Sequence, residues 1–225
     1  PRGLSPACPA SGISTDAGVA GLCHAAALKK RFTLPRGESS LLRRGARGLL
    51  RLFGWRSSFV WPPEPKGLIV IYPHTSNWDF PIGVLFRIAH GLPANWIGKT
   101  EMFRAPFRGL LLRIGGIPLD RRRATGFVDA LVEEFRSRDW MWVAITPEGT
   151  RSHTPYLKSG FYQVALTAGL PVALAYIDYG TKTVGMDTYV RFTGDRERDL
   201  DLLRVFYADK RGQRPELAGD IRLKD

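Results

Sequence analysis

His74 and Asp79, five positions apart in the run His74-Thr75-Ser76-Asn77-Trp78-Asp79, are the residue types in this chain best suited to moving a proton. An imidazole titrates near neutrality, and a nearby carboxylate fixes its tautomer and stabilises the imidazolium that forms when it takes a proton. Such a pair suits deprotonation of an alcohol. Five residues advance an ideal helix by about 500°, so the two side chains do not share a helix face. They meet only if His74 lies in a loop and Asp79 reaches back from the first turn of the helix that follows. Ser76 or Asn77 is placed to cap that turn, and the free backbone N–H groups there are placed to help hold an oxyanion.

A second group of chemically useful residues is Thr146-Pro147-Glu148-Gly149-Thr150-Arg151-Ser152. Gly149 permits a tight turn and close approach of a ligand, and Arg151 offers a planar fork that grips a phosphate. The same residues also read as a structural turn with a surface arginine. Between the two groups, Lys99 and Arg121 are further cations for a phosphate. Gly98-Lys99-Thr100 is not the end of a P-loop, because Pro93 stands where that motif needs glycine. There is no Gly-x-Ser-x-Gly elbow of a serine esterase, and His24, His90 and His153 carry no comparable pattern.

The elements that must position these residues are legible in the apolar pattern. Residues 67–72, Gly-Leu-Ile-Val-Ile-Tyr, form a continuous β-branched run, as expected for a strand covered on both faces, with His74 at its exit. Further strands are expected at 95–98, 117–119, 140–146, 171–177 and 189–193. A helix that Thr125 can cap fits Phe127, Leu131, Val132 and Phe135, another fits 160–168 before Gly169 and Pro171, and one more fits 199–207. Strands alternating with helices imply an α/β domain with a central, mostly buried mixed sheet flanked by helices, in which ligands gather at strand ends.

The chain of 225 residues suffices for one well-buried domain, and its formal charge of +12 calls for an anionic partner: nucleic acid, a membrane surface or an acidic substrate. Cys8 and Cys23 make neither a disulfide framework nor a cysteine-rich zinc site, which favours a reducing compartment. Residues 1–40 read as a flexible leader rich in Ala, Gly, Pro and Ser. Its apolar run at 17–28 is shorter than the ~20 residues a membrane span needs, and Lys29-Lys30-Arg31 follows it, the reverse of a secretory signal. Residues 41–61 read as a basic amphipathic membrane-surface helix: Leu41, Leu42, Ala46, Leu49, Leu50, Leu52 and Phe53 on one half, Arg43, Arg44, Arg47 and Arg51 on the other. It can lie on an anionic membrane with Trp55 near the interface, or pack its leucines on the protein's own core. The proline-rich 62–65 then marks the start of the main domain, 62–225. No familiar nucleic-acid module appears and the aromatics fall within strand patterns, so nucleic acid is not the expected partner.

The order and type of these segments resemble the glycerolipid acyltransferase family, which includes 1-acylglycerol-3-phosphate acyltransferases, over roughly residues 67–178. His74 and Asp79 match its His-x-x-x-x-Asp motif. Lys99 to Phe103 and Gly116 to Arg121 match its second block, Glu148-Gly149-Thr150-Arg151 its third, and Leu170-Pro171-Val172 its fourth. The resemblance implies transfer of a fatty acyl group from an acyl thioester, on coenzyme A or acyl carrier protein, to a lyso-lipid hydroxyl in phospholipid biosynthesis or remodelling. His74 would be the general base, supported by Asp79, in direct transfer with no metal and no cofactor beyond the thioester donor. Thr150 and Arg151 would position the acceptor's polar head, and Arg121 and Lys99 its phosphate, while Glu148 and Gly149 order the loop or support the acceptor. Pro73, Thr146 and Ala173-Leu174-Ala175 depart from the family's usual residues without removing a chemical group. The acceptor stays open among glycerol phosphate derivatives, other lysophospholipids and amino-acid-derived lyso-lipids. A hydrolase using the same His74 and Asp79 on water is the alternative. The expected location is cytoplasmic, peripheral on the inner face of a membrane, and an apolar tunnel leading to His74 is the expected structural signature.

Overall fold

The computed structural model describes residues 39–98, 100–118 and 126–224. The leader therefore lies almost wholly outside the described residues, as do Lys99, Arg121 and Thr125. In chain order the strands are β1 (Arg56–Phe59), β2 (Lys66–Ile71), β3 (Ala94–Gly98), β4 (Gly116–Pro118), β5 (Met141–Ile145), β6 (Val172–Asp178) and β7 (Thr183–Val190). They form one seven-stranded sheet of order β1-β7-β6-β2-β5-β3-β4. β2 to β6 run parallel to their neighbours, β7 returns antiparallel to β6, and β1 lies parallel to β7 at the edge. The helices are α1 (Ser40–Leu52), α2 (Asp79–His90), α3 (Arg108–Arg113), α4 (Phe127–Ser137), α5 (Gly160–Thr167) and α6 (Arg196–Tyr207). The mixed α/β sheet expected from the sequence is thus present.

Two apolar clusters lie on opposite faces of the sheet, because side chains alternate along a strand even where every residue is buried. Leu68, Val70, Val143, Ile145, Val172 and Leu174 face α4, α5 and α6, packing with Leu131, Phe135, Phe161, Leu200 and Leu203. Ile69, Trp142, Ala173, Ala175 and Ile177 face α1 and α2, with Ile82, Phe86, Ala46 and Leu50. Beside Ile69 and Trp142, the second face carries Ala144, Ala173 and Ala175 where the first carries valine, leucine and isoleucine. That difference leaves space under α2.

Two local expectations are overturned. The helix expected over 41–61 ends at Leu52, and residues 56–59, Arg-Ser-Ser-Phe, are instead a strand that joins the sheet by pairing Arg56 with Thr183 through Phe59 with Met186. The last strand is Thr183–Val190, earlier than 189–193. Gly185 interrupts its apolar pattern because a side chain there would run into the ring of Tyr176. α4 is entered through Gly126, which takes a left-handed backbone (φ 99); the Thr125 cap lies outside the described residues.

α1 also differs from its helical-wheel reading. It buries Ala46 and Leu50 against α2, and the arginine half turns partly inward: Arg47 Nε donates to Ala89 O at 2.9 Å, and the Arg43 guanidinium lies beside Gly91. Both lie at the carbonyl-rich C-terminal end of α2, where cations are favoured, and Arg47 satisfies one of its carbonyls. Leu41, Leu52 and Phe53 stay exposed at 76%, 78% and 60%. Trp55 is not at an interface but buried, because Gly54 (φ 77) turns the chain back so that Trp55 N–H bonds Leu50 O at 2.8 Å.

Candidate active site

The parallel strands β2, β5 and β6 end on the same side of the sheet, and the loops leaving them build the site. β2 ends at Ile71, and Pro73 to Trp78 carry the chain over the strand ends into α2, whose first residue is Asp79. His74 is therefore a loop residue and Asp79 a first-turn residue, the geometry their spacing requires. A carboxylate in the first turn is also favoured by the helix dipole.

The His74 Nδ1 and Asp79 Oδ2 atoms lie 2.9 Å apart, with the side chains 13% and 3% exposed. The approach is short in distance without being an aligned hydrogen bond. Asp79 is held by two other donors. Ser76 N–H donates to Oδ2 at 3.0 Å, and Tyr179 OH donates to Oδ1 at 2.8 Å. With Nδ1 turned toward Asp79, Nε2 is the imidazole nitrogen left for a substrate. Ser76 Oγ accepts the Trp78 N–H at 3.1 Å, so the N–H groups of Ser76 and Trp78 are committed within the loop.

Behind His74 lies Glu148, at the exit of β5. Its buried carboxylate accepts the backbone N–H of His74 at 2.6 Å through Oε2 and that of Gly219 at 3.0 Å through Oε1. Burial pushes its pKa above the ordinary carboxylate value, and the two backbone donors oppose that shift. Tyr72 packs beside it and donates to Gly219 O at 2.6 Å, its phenol pushed up to about 12 by burial and then by Glu148 and Asp220. Gly149 takes φ 64 in the turn closed by Gly149 N–H to Thr146 O at 3.0 Å, and a side chain there would meet Lys158.

His74 and Asp79 stand in the wall of a cavity of about 530 Å³ between α2 and the small-residue face of the sheet. Its apolar wall includes Ile69, Val84, Ala144, Ala175, Ile177 and Met186. Gly149, Thr150 and Arg151 also line it, with Thr150 and Arg151 exposed to solvent. The fold thus brings His74, Asp79, Gly149, Thr150 and Arg151 to one cavity and puts Glu148 behind the histidine. Lys99 and Arg121 lie outside the described residues.

Residues the sequence reading passed over complete the site. Tyr179, just past β6, holds Asp79. The C-terminal stretch 211–219 crosses the His74 loop: Gln213 accepts from Ser76 Oγ, Arg214 N–H donates to Thr75 Oγ1 at 3.2 Å, and Gly219 N–H meets Glu148. Gly212 packs so closely on Thr75 that a Cβ would fall 2.5 Å from its Oγ1. These contacts span long sequence separations, and no local period marks them.

A family model described as Acyltransferase matches residues 62–177, a stretch that holds His74, Asp79 and the loop 148–151. A search of curated protein sequences gives no match. Among solved structures, the 1-acyl-sn-glycerophosphate (LPA) acyltransferase PlsC from Thermotoga maritima is similar in fold, with a TM-score of 0.50 at 18% identity, covering 73% of this chain and 75% of that one.

Proposed function

Because the chain belongs to the acyltransferase family, we propose that it moves a fatty acyl group from an acyl thioester, on coenzyme A or acyl carrier protein, to the hydroxyl of a lysophospholipid such as 1-acylglycerol-3-phosphate. The observation that carries this reading is the place of the His74 imidazole, against a buried carboxylate and in the wall of a deep, mainly apolar cavity. An aliphatic chain is driven into such a space by about 0.8 kcal/mol per methylene buried.

In this reaction His74 Nε2 accepts the proton of the acceptor hydroxyl as the oxygen attacks the thioester carbonyl carbon. The carbon–sulfur bond then breaks, and the departing thiolate takes the proton back from the imidazolium. Asp79 stabilises the imidazolium between those two events. Glu148, bound to two backbone N–H groups, fixes the loop and is not itself turned to the cavity as a second base. Thr150 and Arg151 at the cavity wall receive the polar head of the acceptor, where a guanidinium fork suits a phosphate. Lys99 and Arg121 are proposed for the same phosphate.

A lyso-lipid acceptor comes from a bilayer, and α1 supports a surface encounter. Leu41, Leu52 and Phe53 stay exposed on a helix that also presents Arg44 and Arg51, a composition suited to anionic headgroups over acyl chains. Among the described residues no helix is long and apolar enough to cross a membrane. A peripheral position on the inner, cytoplasmic face is the proposal.

The test is an acceptor screen with acyl-coenzyme A and acyl carrier protein, with product masses measured. Acceptor-dependent formation of a diacyl product supports the transferase. Release of free fatty acid with no acylated product overturns it in favour of a hydrolase using the same residues.

A further inference from the structure

We propose that Tyr179 is a positioning residue for the His74 and Asp79 pair, its hydroxyl fixing the Asp79 carboxylate so that Oδ2 faces the imidazole; this rests on His74 acting as the base. Asp79 is almost wholly buried, and an anion there is held only by the donors around it. Ser76 N–H and His74 share Oδ2, whereas Oδ1 receives the Tyr179 hydroxyl at 2.8 Å. The His74 contact is not itself an aligned hydrogen bond, so it does not fix the rotation of the carboxylate. Tyr179 and Ser76, one on each oxygen, do.

Tyr179 is itself held on three sides. Its backbone N–H donates to Arg211 O at 2.8 Å, and the edge of its ring meets Trp55, with centroids 5.0 Å apart and planes at 88°. Its hydroxyl is the remaining end, aimed at Asp79. Burial, and then the bond to Asp79, hold the phenol well above its ordinary pKa, so it stays a proton donor throughout the working range. The other charged groups nearby are Glu148 behind the His74 backbone, Arg151 at the cavity wall, and Asp178 next to Tyr179. Asp178 accepts from Gly180 N–H, Arg211 N–H and Thr181 Oγ1.

The sign of the effect follows from the proton count. Removing a donor from Asp79 destabilises its anion most when His74 is neutral, because the imidazolium otherwise compensates. The pair as a whole then binds a proton more readily. Tyr179→Phe, which keeps the ring and removes only the hydroxyl, therefore moves the His74 titration to higher pH. A fluorinated tyrosine at 179, a stronger donor, moves it lower.

The experiment follows the His74 ring signals by NMR against pH in the wild type and both variants, alongside kcat and KM for each substrate. The expected result is an upward shift of roughly half to one pH unit in Tyr179→Phe, a downward shift in the fluorotyrosine protein, and a kcat lowered about five- to thirtyfold with both KM values kept. A His74 titration unmoved in both variants overturns the proposal, whatever the rates do. The NMR arm needs no turnover, so a wild type that transfers no acyl group refutes the proposed function and leaves the role of Tyr179 separately decided.

Discussion

Glu148 holds His74 by its backbone rather than by its side chain: Oε2 accepts the His74 N–H at 2.6 Å while Oε1 accepts that of Gly219 at 3.0 Å. The glutamate thereby joins the histidine loop to the C-terminal stretch. Glu148→Ala leaves two buried donors unpaired at about 1–3 kcal/mol each, so denaturant unfolding should show a loss of about 2–6 kcal/mol. Glu148→Gln isolates the charge. Burial raises the folded-state pKa above the unfolded one, so the contribution of this group is full below the unfolded pKa and is lost as pH rises through the folded value. The stability advantage of the wild type over Glu148→Gln should shrink from pH 4 to pH 7, and an advantage that grows over that interval would contradict burial as the dominant cause.

His90 offers the opposite sign. Its ring stacks on Phe59 with centroids 4.4 Å apart and lies near Arg47, and burial first, then Arg47, lower its pKa to about 4. The unfolded chain therefore binds a proton at higher pH than the folded one. Stability from this group is complete above the ordinary value of 6.5 and is lost as pH falls toward about 4. Replacing it in His90→Phe should remove on the order of 1–2 kcal/mol of the acid sensitivity between pH 7 and pH 5, read as the difference between urea unfolding curves at the two values. Equal slopes in wild type and variant would remove His90 from the account.

Gly83 lies in α2, lines the cavity, and has no atom within 4 Å of where its Cβ would be. Gly83→Leu is tolerated by the helix and gains about 1 kcal/mol of helix propensity, while its side chain enters the space proposed for the acyl chain. The longest acyl group accepted should shorten, with roughly a fourfold loss in kcat/KM for each methylene displaced, the equivalent of about 0.8 kcal/mol. Short-chain donors should react as before. A chain-length profile identical to that of the wild type would move the acyl chain elsewhere.

Leu52 and Phe53 at the outer end of α1 touch little of the protein, so Leu52→Gln with Phe53→Ser should leave the melting temperature nearly unchanged. Sedimentation with anionic vesicles should fall about tenfold or more, since each lost apolar contact is worth about 1.5–3 kcal/mol when fully buried. Activity on a soluble short-chain substrate should be kept. Undiminished vesicle binding would place the membrane face on another surface.

Much of this site could be read in the chain because its determinants are local. The β2 run from Gly67 to Tyr72 is apolar at successive positions, as a strand covered twice must be, and the five-residue step from His74 to Asp79 admits contact only across a loop and first turn. Cavity formation was less legible, since Ala144 and Ala175 create space only once the register sets them under α2. β1 falls inside the helix expected over 41–61 because Arg-Ser-Ser-Phe carries neither a run nor an alternation, and its strand character comes from pairing with β7. Trp55 pointed to an interface by its type, yet the turn at Gly54 buries it against Tyr179. Tyr179 itself is 100 residues from Asp79, a distance over which no spacing rule operates.

Replacing His74 by alanine tests the central claim most directly. Circular dichroism and melting establish that the variant is folded, and acyl transfer to the best acceptor is then measured beside the wild type. Loss of the base should lower kcat by about 10²–10⁴-fold with vesicle and donor binding kept. Turnover at the wild-type rate in folded His74→Ala protein would contradict general-base acyl transfer at this site.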